Sequence, residues 1–129
     1  MPDYDKLRDE NADVIKHLSR HVDFSVEVPV DFTCPFPSKP QAEKAAEVLN
    51  KDRILPEGVL IVASEYSPEI GAFDCMFQVR MIPDLDEITK IEFGFGQVCE
   101  KYGGGATAWG FASERSGFLT RLLSMFQKP

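Results

Sequence analysis

Between Phe24 and Phe111 the spacing of apolar residues moves from the strand period to the helix period and back, in an order few folds can accommodate. Phe24, Val26, Val28, Val30 and Phe32 alternate with Ser25, Glu27, Pro29 and Asp31, the pattern of a half-buried strand. Pro29 has no N–H to donate, so this strand is expected at a sheet edge, bulged there, or with its pairing stopped early. A turn over Cys34–Ser38 leads into a capping box, Ser38 with Gln41, and then the stripe Ala42, Ala45, Ala46 and Leu49 of a helix. The run Gly58–Ser64 reads as a buried strand. After the turn residues Ser67–Gly71, a second strand alternates through Phe73, Cys75, Phe77, Val79 and Met81, and the two predict an antiparallel hairpin. Pro83 stops it. Asp84 with Glu87 starts a helix whose inner stripe is Ile88, Ile91, Phe95, Val98 and Tyr102. Gly103 supplies the positive φ that a helix end favours, and Trp109 and Phe111 point to one side of a last strand.

The resulting β-α-β-β-α-β order predicts an α+β fold, a ferredoxin-like sandwich with two helices on one face of an antiparallel sheet. Helices at both termini extend it. Residues 1–21 carry Leu7, Val14 and Leu18 on one face with Ile15 at its margin. Residues 113–129 carry Phe118, Leu119, Leu122, Leu123 and Phe126. The chain is read as one domain over 1–129, with a core over 22–112. The second face of the sheet needs cover, from the terminal helices or from a partner.

Composition narrows the function. The net charge is −7 over 129 residues, and residues 58–102 hold eight acids against three bases. Such a body repels phosphate backbones, so direct nucleic-acid binding is not expected, while a basic protein partner is favoured. No apolar run approaches the roughly 18–20 residues needed to span a bilayer, and the N-terminus lacks a signal-peptide pattern. Three cysteines without framework spacing suit a reducing compartment, so the cytoplasm is the expected location.

No catalytic constellation emerges. His17 and His21 have a spacing that can hold a metal, but their stripe lies away from the apolar face and reads as solvated surface. Cys75 reads as a small core hydrophobe, and Cys34 as the thiol to watch for exposure. Gly94-Phe-Gly96 lacks the third glycine of a dinucleotide fingerprint and reads as close packing. Gly103–Gly105 ends a helix, where the dipole is negative, so a phosphate cradle is rejected. Trp109 reads first as a core residue and second as an interaction anchor. No catalytic, cofactor-binding or metal-ligating residue is assigned.

Ala42-Glu-Lys-Ala-Ala46, Met81-Ile-Pro83, and Lys101-Tyr-Gly-Gly104 leading to Trp109-Gly110 resemble the RraB family, bacterial regulators of ribonuclease E activity. The likeness covers about residues 22–112. It implies a cytoplasmic α+β domain that binds ribonuclease E or its degradation assembly and inhibits or redirects it, with no catalytic residues and no cofactor. The family's acidic residue after Gly-Gly and its Tyr-Asp-Gly before Trp-Gly are replaced here by Gly105, Ala106, Thr107 and Ala108. The chain also ends in the basic, apolar Arg121–Pro129 where better-known members carry an acidic tail.

The leading reading is therefore a non-enzymatic protein-binding regulator, with Trp109, Tyr102, Glu92, Glu100, Phe118 and Leu122 as candidate interaction residues. The alternative is a small dimeric α+β enzyme or ligand-binding domain with a pocket between sheet and helices, lined by Phe73, Phe77, Trp109 and Phe111. A homodimer remains open under either reading.

Overall fold

The alternation that begins at Phe24 does not stop at Phe32, because Cys34 and Phe36 continue it. What selects the strand from this longer pattern is its partner. The computed structural model describes residues 3–20, 23–51, 55, 59, 62–68 and 71–111. In it the first strand, β1, is Val28–Phe36 and pairs antiparallel with β3, Ala72–Met81, in the register Val28↔Met81 to Phe36↔Phe73. Pro83 follows β3 closely, so residues before Val28 find no partner there, and Phe24 sits in a turn. The expected strand is thus displaced towards the C-terminus, and the expected turn at Cys34 is strand.

Around this pair lie helix α1 (Tyr4–Leu18), helix α2 (Lys39–Lys51), strand β2 (Val62–Ser67), helix α3 (Leu85–Lys101) and strand β4 (Ala108–Phe111). The described chain is α+β, with three helices and an antiparallel sheet in the order β2-β3-β1-β4. The expected β2–β3 hairpin forms, but β2 runs to Ser67, three residues past the expected end at Ser64, so Ser67 is strand and not turn, and the pairing has an irregularity between Ala63 and Tyr66.

β1 is an interior strand that contains Pro29 and Pro35. β4 pairs only with Val30–Thr33. The Pro35 carbonyl accepts from the Gly105 N–H at 2.8 Å, so this residue's peptide edge faces the β4 side. By the two-residue period Pro29 faces the same way. Both prolines stand just outside the span that β4 occupies, and no ladder bond to β3 is lost.

The helix-facing side of β1 (Val30, Phe32, Cys34 and Phe36) is at most 1% exposed. Phe32 stacks on Phe77 with centroids 5.0 Å apart, and Phe95 of α3 meets Phe77 edge-on at 4.9 Å. Burial of each ring contributes about 2–3 kcal/mol and the ring geometry roughly 1 kcal/mol more, so burial is the dominant effect. Ala42, Ala45 and Ala46 are buried on α2, where short side chains let the helix lie close to the sheet. Phe77, Trp109 and Phe111 are buried in this core rather than lining an opening between sheet and helices.

α1 turns only part of the expected face inward. Asn11 is its buried residue, Ile15 and Leu18 pack against the core, and Val14 is 39% exposed. Nor does α1 cover the second face of the sheet. It lies along α3, through Arg8 to Asp86 at 2.7 Å and Tyr4 edge-on to Phe93 at 5.3 Å. On the second face Asp31 and Met76 are buried, and the Gln78 amide donates to Asp31 Oδ1 at 2.8 Å. The expected helix over 113–129, with Phe118 and Leu122, lies outside the described residues.

Candidate functional site

The segment that closes α3 is built first by backbone hydrogen bonds. Gly103 N–H donates to Glu100 O at 3.2 Å and Gly104 N–H to Cys99 O at 2.8 Å, the paired bonds of a Schellman motif. Gly103 has φ of +89°, which a side chain would strain. Tyr102 is the cap residue, half-buried against the core, and its carbonyl accepts from Gln41 Nε2 at 3.1 Å. Gln41 also takes a hydrogen bond from Ser38 Oγ at 2.7 Å. The residue read as half of a capping box thus joins the start of α2 to the end of α3.

Beyond the glycines, the chain is pinned by a buried polar network. Trp109 is 8% exposed, and its Nε1–H donates to Asn11 Oδ1 at 2.8 Å. The Asn11 amide donates in turn to Glu92 Oε1 at 3.0 Å and Thr89 Oγ1 at 3.2 Å. Thr107 Oγ1 donates to Glu92 Oε2 at 2.9 Å. One carboxylate therefore ties α1, α3 and the loop before β4 together. Desolvation is the chief influence on Glu92 and pushes its pKa up, against the hydrogen bonds from Asn11 and Thr107, which pull it down.

This arrangement sets a pH dependence. A carboxyl whose pKa rises on folding contributes stability that is full below its unfolded pKa and lost as pH climbs through the folded value. Glu92→Gln keeps an acceptor for Asn11 and a partner for Thr107 without the charge. Its unfolding midpoint in urea is expected to vary less than that of the parent chain between the ordinary glutamate range and neutrality. Identical pH profiles for the two proteins would show that Glu92 is not the group responsible.

Of the expected interaction residues, Trp109, Tyr102 and Glu92 are brought together as the support of this segment. Glu92 and Trp109 face inward. Glu100 is exposed on the last turns of α3 and borders a groove of about 510 Å³. The groove runs between the start of α1, with Asp3, Lys6 and Glu10, and the loop Gly104–Thr107. Three carboxylates and one ammonium rim it, which favours cationic groups. Phe118 and Leu122 are outside the described residues.

Asn11, Thr89 and Thr107 escaped the sequence reading. The available signal for Asn11 was its position, since Leu7, Asn11, Ile15 and Leu18 fall at helical spacing with one polar member. Cys34 is buried, not exposed, and all three cysteines are free thiols. His17 is exposed, and His21 lies outside the described residues. Among the described residues, no three His, Cys, Asp or Glu side chains are grouped to hold a metal, and no helix is long and apolar enough to cross a membrane.

Compared with known protein families, residues 8–111 match the model described as Regulator of ribonuclease activity B. The match runs from within α1 to the end of β4 and takes in the whole Asn11–Glu92–Trp109 network. No curated protein matches the chain.

Proposed function

The chain belongs to the RraB family of regulators of ribonuclease activity, and on that premise we propose that it is a non-catalytic cytoplasmic regulator acting on ribonuclease E or its degradation assembly by protein–protein contact. The observation that carries this reading is the family match over 8–111. The architecture of the segment from Glu100 to Trp109 supports it. Glycines and a buried network fix the loop, while Glu100, Asp3 and Glu10 present negative charge beside it. In this reading Tyr102, Glu92 and Trp109 position the surface and Glu100 meets a basic partner. Phe118 and Leu122 would add apolar contact. The fold is read as ferredoxin-like, from the sheet order β2-β3-β1-β4 with α2 and α3 packed on one face.

The test is titration of the purified chain into ribonuclease E carrying its scaffold region, with binding followed by calorimetry and cleavage by a fluorogenic RNA. Saturable binding with slowed cleavage is expected. Absence of association at tens of micromolar chain would overturn the proposal, and binding to the RNA alone would replace it with a different one.

A further inference from the structure

Cys34, Cys75 and Cys99 share no sequence spacing, yet the fold sets Cys34 beside each of the other two. Cys34 of β1 and Cys75 of β3 are directly opposed in the strand register, and both are fully buried. Cys99, in the last turn of α3, comes down beside Cys34 from the helix layer. Gly104 closes the cluster. A Cβ built on it would lie 2.9 Å from Cys34 Sγ and 3.0 Å from Cys99 Cβ, so this glycine rests on both side chains. The Cys34 thiol also donates to the Gly105 carbonyl at 3.5 Å. Gly104 and Gly105 line the groove beside α1. Backbone without a side chain is therefore what stands between an open groove and the sulfur of Cys34.

We propose that Cys34 and Cys99 form a reversible disulfide when the chain meets a hydroperoxide, linking β1 to the end of α3 beneath the glycine loop. The reaction does not depend on the ribonuclease reading. Cys34 is the attacking sulfur. It is the thiol over which the groove-lining Gly104 sits, while burial, chiefly, pushes the Cys75 thiol up to about 12 and the neighbouring Cys34 together with burial raises that of Cys99. The Cys34 thiolate attacks one peroxide oxygen, the O–O bond breaks, and hydroxide or alkoxide leaves to take up a proton. The sulfenic acid so formed is attacked by Cys99. The S–S bond forms as the S–O bond breaks, and the Cys99 proton leaves with the departing oxygen as water. Two thiols are oxidised and one hydroperoxide is reduced to water and an alcohol, or to two waters when the oxidant is hydrogen peroxide. A thiol reductant restores the starting state. Cys75 lies across the strand pair, and its sulfur stays reduced.

The experiment treats the native chain with hydrogen peroxide, blocks remaining thiols by alkylation, and maps peptides by mass spectrometry without reduction. The expected product has Cys34 joined to Cys99 and Cys75 alkylated, and dithiothreitol returns all three thiols. Cys75→Ser is expected to give the same link. Cys99→Ser is expected to leave Cys34 as a sulfenic acid trapped by dimedone. A Cys34–Cys75 link would overturn the proposal. So would three intact thiols in the native chain under peroxide that oxidises the urea-unfolded chain. The wild-type and Cys75→Ser mappings decide the matter even where Cys99→Ser folds poorly.

Discussion

Phe95→Ala is expected to destabilise the chain by about 3–5 kcal/mol, more than any other single truncation among the stacked rings. Phe95 is fully buried and stands edge-on to Phe77, which itself stacks on Phe32, so its ring is the one that seats α3 on the sheet. Removing it costs the transfer free energy of the ring and leaves a cavity between two stiff layers that cannot collapse on it. In a chain of this length that loss lowers the melting temperature by roughly 10–20 °C. Phe93→Ala serves as the comparison, because Phe93 is half-buried and meets Tyr4 on the outer side of α3. Its cost is expected to be about 1 kcal/mol, near the middle of ordinary substitutions. Urea unfolding of the two variants measures the difference. Equal losses would mean that the ring stack is not what holds the helix to the sheet.

Gly104→Ala is expected to cost about 1–3 kcal/mol, although the change adds one methyl group. That methyl would lie 2.9 Å from Cys34 Sγ, 2.9 Å from the Cys99 carbonyl oxygen and 3.0 Å from Cys99 Cβ. The carbonyl is the acceptor of Gly104's own hydrogen bond, so relief of the clash weakens the helix end that the bond secures. Neighbouring glycines should respond differently. At Gly105 the nearest atom is Pro35 Cγ at 3.2 Å, and a small shift of the ring relieves it. At Gly103 the obstacle is the end of the flexible Gln41 side chain, so the positive φ is the main cost, about 1–2 kcal/mol. Thermal melts of the three alanine variants should therefore rank Gly105 as the mildest. A Gly104 variant that melts with the parent would show that the loop is less tightly seated on the cysteines.

These two predictions also show what could be read from residues alone. The stripe containing Phe95, the Asp84 cap with its bond from Glu87 N–H at 2.9 Å, and the positive φ at Gly103 follow from spacing and residue type. Each depends on neighbours within a few positions in sequence, where helix periodicity and capping chemistry act. The position of β1 was not legible, because Phe24 to Phe36 carries one unbroken alternation and only the distant partner strand selects its paired part. The inward face of α1 was legible only in part, because Asn11, a polar residue, is buried there by partners near the other end of the chain. Glu92, expected as an interaction residue, is buried for the same reason. The convergence of the cysteines is likewise a product of strand register and helix placement, neither of which spacing encodes.

The two prolines of β1 bear on how the chain avoids a wrong fold. β4 is four residues long, and a strand that short has little area with which to choose its alignment. A slip of one residue along β1 would turn Trp109 away from Asn11 and towards the opposite face. A slip of two would preserve the face but set β4 against Pro29 or Pro35, where no N–H is present to bond. The prolines thus work as end stops that leave β4 a single berth, and the tryptophan hydrogen bond is the latch that closes once it is there.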